Sequence, residues 1–191
     1  VDDSAFTEID RFALARLNEL VATCRKAYDN FEYHLIFHAV HNFCVLDMSN
    51  FYLDVLKDRL YVEKADSESR RAAQTVIYNI LRGMTLCLAP ILSFTAEEIW
   101  GYLPRSEKDD AGSVFFNQLP ENSGISADEE FMAKWEKIDE LRDIVNKALE
   151  EARAQKLIGK SLEAKVTLNC GRDWYEFAKS AEADLVSAFI V

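Results

Sequence analysis

Glycine and proline are scarce in this chain, 6 and 3 among 191 residues. That excludes a fold of many short strands, each needing its own turn, and favours long helices. No apolar stretch approaches the roughly 18 uninterrupted residues of a membrane span. No secretory leader pattern is visible either. The chain opens on Val1-Asp2-Asp3 without a methionine and stops on the apolar run Ala188-Phe189-Ile190-Val191. Both ends therefore read as cut. Close cysteine pairs are also missing. Cys24, Cys44, Cys87 and Cys170 lie far apart and form no CxxC, which argues against a four-cysteine zinc site. Three of them sit in apolar helical patterns, where a free thiol behaves as a small hydrophobe. This suits a reducing, cytoplasmic location.

Basic charge is in deficit: 22 Lys and Arg against 33 Asp and Glu, a net charge of −11. Phosphate contacts need Lys and Arg, so charge alone argues against a nucleic-acid partner. The distribution softens this. Between Arg142 and Arg172 stand seven basic residues and four acidic ones. Lys57, Arg59, Lys64, Arg70 and Arg71 form a second basic group around a predicted helix–helix connection.

What is present is helical periodicity. Phe6, Ile9, Ala13, Leu17, Leu20, Cys24, Tyr28 and Phe31 follow a 3–4 spacing that predicts a helix from about Phe6 to Asn30. Ser4 or Thr7 is its candidate N-cap. Leu14 and Val21 widen its stripe, which predicts more cover than the other helices supply and hence an apolar groove. Tyr33 to Tyr61 predicts a second helix. From His38 to Tyr61 it is apolar on every side, as in a helix buried among others. A third is predicted over about Glu68 to Leu88, capped by Ser67 and ended by Pro90. Thr95-Ala96-Glu97-Glu98 reads as a capping box opening a short helix. Pro104 to Asp128 reads as linker, with Val114-Phe115-Phe116 as its apolar anchor. Asp128 caps a long helix to about Lys156 that Gly159 stops. Ala164 to Asn169 alternates like a strand. Short helices near Trp174 and Asp184 follow, then a last strand near Phe189. The expected layout is a helical bundle over 1–104, a linker over 105–127, a long helix over 128–160, and a small truncated α/β unit over 161–191.

Three motifs invite catalytic readings. His34, His38 and His41 share one face of the second helix, yet 34 and 41 are about 10 Å apart along a helix, too far for one ion. Histidines hydrogen-bonded in or beside the core are the simpler expectation. Gly159-Lys160-Ser161 resembles the end of a phosphate loop, but Ala154 stands where the first glycine belongs, and a helix precedes it. Asp47 and Asn50 read either as a polar site or as a hydrogen-bonded pair that sets helix register.

The wording of four blocks is more specific. They are FTEIDRFALARLNELV at 6–21, YHLIFHAVHNFCVLDMSNFYLDVLKDRLY at 33–61, RRAAQTVIYNILRGMTLCLAPILSFTAEEIW at 70–100 and VNKALEEARAQKLIGKSLEAKVTL at 145–168. In this order they resemble the anticodon-binding region of the isoleucyl-tRNA synthetase family, class I enzymes. The third block is shared more widely with the valine and leucine enzymes. The resemblance implies a mostly α chain: a class I anticodon-binding helical bundle with a long helix and a small truncated α/β appendage. It implies that the family's first bundle helix is missing here. The HIGH and KMSKS signatures, the editing domain and the C-terminal zinc cysteines are absent, so no catalytic, cofactor or metal residue is assigned. ATP with magnesium, and zinc if any, belong to the full-length parent. The implied partners are tRNA(Ile) and the parent's catalytic and editing domains, with a fragment dimer through the apolar groove as a further expectation. On this resemblance Lys57, Arg59, Arg70, Arg71, Arg153, Lys156, Lys160 and Lys165 are the candidate tRNA contacts. The rival readings are a helical protein-binding scaffold, the anticodon region of a valine or leucine enzyme, and a metal-dependent bundle enzyme.

Overall fold

Thr7 and Ser67 decide where two long helices begin. In the computed structural model, which describes residues 3–107, 109–120, 124–125 and 127–189, α1 runs Glu8–Asp29. The Thr7 backbone N–H donates to Asp10 Oδ2 at 3.0 Å and its hydroxyl to the same oxygen at 2.8 Å. The Ser67 hydroxyl accepts from Arg70 N at 3.1 Å and opens α5, Glu68–Leu88. Each satisfies backbone donors that a helix start leaves orphaned. The chain divides into two compact units, residues 1–126 and 127–191.

In the first unit α1 packs between α5 and the central helical segment. Gly83 permits the close approach of α5, since a Cβ there would lie 3.2 Å from Leu17 Cδ1. The stripe of α1 that sequence spacing leaves undercovered is buried: Phe6, Ile9, Leu14, Leu17 and Val21 are all inside. Half-buried Tyr28 donates its hydroxyl to Cys87 O at 2.7 Å. No open groove remains on that helix along those residues, contrary to expectation. α1 ends at Phe31, whose φ of 60° is left-handed. The Glu32 N–H returns to Ala27 O at 2.8 Å, a Schellman closure.

The central segment comprises α2 (Tyr33–Asn42), a π-helical stretch (Phe43–Tyr52), α3 (Leu53–Val55) and α4 (Lys57–Tyr61). The single helix expected here is therefore wound unevenly, with Leu53 N donating to Met48 O five residues back. Nor is it buried all round. Ile36, Val40, Phe43, Met48, Phe51, Tyr52 and Leu56 are inside, while Phe37 is 64% and Leu46 59% exposed. Exposed residues recur in fours: 37 and 38, 41 and 42, 45 and 46, 49 and 50. On a 3.6-residue helix such a repeat drifts about 40° per step. The wider π turns undo that drift and keep one face to the inside.

α5 ends before Pro90, and α6 spans Ser93–Tyr102. It starts two residues before the capping box predicted at Thr95. Ala96 N already reaches Leu92 O, so Thr95 lies within the helix. The Glu97 carboxylate accepts from Ser113 Oγ at 2.9 Å and Val114 N at 3.0 Å. The segment read as linker thus packs on α6. Val114 joins Leu86, Ala89, Ala96, Trp100 and Leu103 in one cluster. Phe115 and Phe116 stay exposed, whereas Ile125 is also buried, so the segment is anchored by Val114 and Ile125 rather than by the three residues expected.

The second unit is built on α7, Glu129–Ala154, capped by Asp128, which accepts from Phe131 N at 2.8 Å. Trp135, Ile138, Leu141, Val145 and Leu149 form its buried face. α8 (Arg172–Ser180) follows, and α9 (Glu182–Phe189) packs on α7 through Leu185, Ala188 and Phe189. Buried Arg142 donates from Nε to Ala188 O at 2.8 Å. Lys156, not Gly159, stops α7: its φ is 58°, and Leu157 N returns to Ala152 O at 2.9 Å. Gly159 N instead donates to Glu163 Oε2 at 2.8 Å. No strand occurs among the described residues. Ala164 to Asn169 keeps its alternation but has no pairing partner, and α9 continues through Phe189 where a strand was expected. Residues 190 and 191 of that expected strand lie outside the described residues. No helix among the described residues is long and apolar enough to cross a membrane.

Candidate nucleic-acid interface

The α4–α5 connection carries four of the candidate cations, and they differ sharply. Arg59 is turned inward. Its NH1 and NH2 bond both oxygens of Asp10 at 2.8 Å, and NH2 also reaches Ser69 O at 2.8 Å. Asp10 is fully buried, and Tyr52 Oη donates to it at 2.7 Å. Burial opposes the Arg59 charge, yet the bonds and charge of Asp10 outweigh it and hold its pKa above the ordinary value. Burial, followed by the Asp10 carboxylate, pushes the Tyr52 phenol well up. This clamp ties the start of α1, the π stretch and the start of α5 together. Its only local trace in the sequence is an acid three residues after Thr7; Tyr52 and Arg59 are invisible as its partners.

Arg70 is half-buried and donates from NH1 to Glu63 O at 3.4 Å. Lys57 is exposed and paired with Asp54 at 2.5 Å. Arg71 is exposed. Asp54, Asp58, Glu63, Asp66 and Glu68 interleave with these cations, so the connection is balanced in charge rather than basic.

The second unit carries the other four. Arg153 is exposed and bonds Ser161 Oγ at 2.6 Å. Lys156, Lys160 and Lys165 are exposed. From Ala152 to Gly171 only Glu163 opposes these four cations, making this the more positive segment. It borders an apolar groove of about 790 Å³ walled by α7, residues 163–171 and Trp174.

The remaining motifs fall to structural roles or to the surface. His34, His38 and His41 are exposed rather than in the core, with the ring of Phe37 against His38 and His41. No group of three or more metal-ligating side chains occurs among the described residues. Asp47 accepts from Arg16 Nε at 2.7 Å, across to α1; Asn50 is exposed. Gly159 and Lys160 donate their backbone N–H groups to Glu163, which closes a turn rather than a phosphate loop. Cys24 and Cys87 are buried free thiols. Donation of the Cys87 S–H to Cys24, followed by burial, pushes the Cys87 thiol strongly up.

The family described as "Anticodon-binding domain of tRNA ligase" matches residues 10–168, and the chain belongs to that family. Among its relatives are proteins named isoleucine–tRNA ligase. The one from Caldicellulosiruptor bescii is 49% identical over 96% of this chain and 20% of its own length. That from Caldicellulosiruptor saccharolyticus is 54% identical over 84% of this chain and 18% of its own. That from Syntrophotalea carbinolica is 46% identical over all of this chain and 20% of its own. The chain thus spans about a fifth of the length of the curated relatives it matches.

Proposed function

We propose that this chain is the anticodon-binding region of an isoleucine–tRNA ligase and holds the anticodon stem and loop of tRNA(Ile). The observation that carries the reading is the family match across residues 10–168, together with the name shared by its relatives. In the whole enzyme, ATP with magnesium would serve a catalytic domain, an editing domain would complete the chain, and the protein would work in the cytoplasm. This region contributes binding and no chemistry. Lys57, Arg71, Arg153, Lys156, Lys160 and Lys165 present their charge outward and are the working phosphate contacts. Arg59 is spent inside the first unit on Asp10 and Ser69, and Arg70 is in large part committed to the fold. Self-association is the second partner we propose, because uncovered apolar surface remains on both units.

The test is a titration of tRNA(Ile) at several salt concentrations against the wild type and a Lys160→Glu, Lys165→Glu double variant. Weak binding is expected, since the overall charge opposes it. Each phosphate contact adds about 0.7–0.9 to the salt slope, so the double variant should lose about 1–2 units. Equal slopes would remove both lysines from the interface. Absence of binding by the wild type at low salt would favour a protein-binding scaffold, the reading that exposed Phe37 and Leu46 support.

A further inference from the structure

We propose that Arg59 is a positioning residue for tRNA: turned inward onto Asp10, it fixes the α4–α5 connection and with it the spacing of Lys57 and Arg71, which face outward on either side. The inference rests on the anticodon-binding reading above and adds to it how two of the contacts are held.

The connection is fastened at several points, and Arg59 reaches two helix starts at once. Its guanidinium donates to both oxygens of Asp10 at 2.8 Å, in the first turn of α1. It also donates to Ser69 O at 2.8 Å and, from Nε, to Ser69 Oγ at 3.0 Å, in the first turn of α5. Ser69 Oγ donates in turn to Glu63 Oε1 at 3.1 Å. Glu63 also accepts from the hydroxyl of Ser67, the cap of α5. Val62 N donates to Asp58 O at 2.9 Å and Ser67 N to Lys64 O at 3.0 Å, so the turn between is bonded as well. Every partner in this network belongs to the first unit.

The two outward cations sit on this frame. Lys57 stands two residues before Arg59 on α4, and Arg71 two residues after Ser69 on α5; both are exposed. Phosphates along a folded RNA stem and loop lie at set spacings, so two cations engage together only when their backbones keep a matching separation. Apolar packing alone lets helix ends slide. A bidentate arginine–carboxylate pair resists sliding, because its two parallel bonds are directional. Such a buried pair adds little stability over apolar residues of similar volume, and setting register is the best-attested use of buried polar groups. The interleaved acids Asp54, Asp58, Glu63, Asp66 and Glu68 sharpen the requirement. Lys57 already pairs with Asp54, and a loose connection would let both outward cations settle on acids instead of phosphate. A lysine at 59 would keep the charge and lose the fork.

The test is the salt dependence of tRNA(Ile) binding for Arg59→Lys and for Ser69→Ala, with far-ultraviolet circular dichroism showing that each is folded. Arg59→Lys should lower the slope by about 1–2 units, the share of two phosphate contacts. Ser69→Ala leaves Asp10 paired and decides the matter if the lysine variant does not fold; it should also lower the slope. In a Lys57→Ala, Arg71→Ala background neither change should lower it further, since coupled sites do not add. A wild-type slope in the folded variants overturns the proposal. So does a further fall in that background, which would make Arg59 a contact in its own right. A second readout needs no RNA. Spin labels at Lys57→Cys and Arg71→Cys, in a Cys44→Ser, Cys170→Ser background that removes the two thiols not fully buried, should give a sharp distance that Arg59→Lys broadens. Equal widths overturn the positioning alone. No tRNA binding by the wild type overturns the anticodon reading, and the role toward RNA with it, even where the widths differ.

Discussion

Asp10 is the most consequential side chain in the first unit. A fully buried carboxylate is tolerable only when paired and hydrogen-bonded, and Arg59, Tyr52 and Thr7 supply that pairing. Removing one member strands the others in a dry site. Asp10→Ala should therefore cost about 3–5 kcal/mol, read as a shift of the urea midpoint at constant slope. Lys57→Ala, which breaks an exposed pair with Asp54, should change stability by less than about 1 kcal/mol. Equal effects would show that Asp10 is not the keystone this geometry makes it. The comparison also separates two arginine or lysine roles that look alike in sequence: a cation that holds the fold and one that faces solvent.

At the scale of elements, both left-handed non-glycine residues among the described residues sit at helix ends. Phe31 closes α1 and Lys156 closes α7. A left-handed L-residue costs roughly 1–2 kcal/mol, and glycine escapes that cost. Lys156→Gly should raise the thermal midpoint by a few degrees. It should also lower the tRNA salt slope by about 0.7–0.9 if the lysine meets a phosphate. A fall in the midpoint would mean that the lysine side chain contributes more than its backbone costs. The helix ends also show how sequence signals mislead. Gly159 looked like the terminator because glycine is the usual one, but hydrogen bonds from Lys156 and Leu157 close the helix three residues earlier. Thr95 with Glu98 looked like a capping box, but the helix already begins at Ser93, with Ala96 N bonded to Leu92 O.

For the whole molecule, the division at residues 126 and 127 bears on stability. A domain of about 60 residues buries only about 60% of its unfolded surface, and the second unit also carries an open groove. Its amides should lose exchange protection at lower urea than those of α1 and α5. Hydrogen exchange read by mass spectrometry along a urea series checks this. Loss of protection in both units at one concentration would show a single cooperative structure. The acidic charge of the whole chain would set the ceiling on the tRNA affinity proposed above, and its local distribution would set where the proposed contacts fall.

Local grammar was enough for much of this. The extent of α1, α5 and α7, the caps at Ser67 and Asp128, and the mostly helical class follow from periodicity and capping, which act over a few residues. The family follows from the wording of four blocks. The remainder depends on groups far apart in the chain. Leu46 read as buried because periodicity reports that a side chain is apolar, not whether a neighbour reaches it. Arg59 read as a phosphate contact because its partner lies 49 residues away. Ala164 to Asn169 read as a strand from its alternation, and the alternation is real. A strand, however, also needs another chain segment beside it, and no pattern within six residues can supply one.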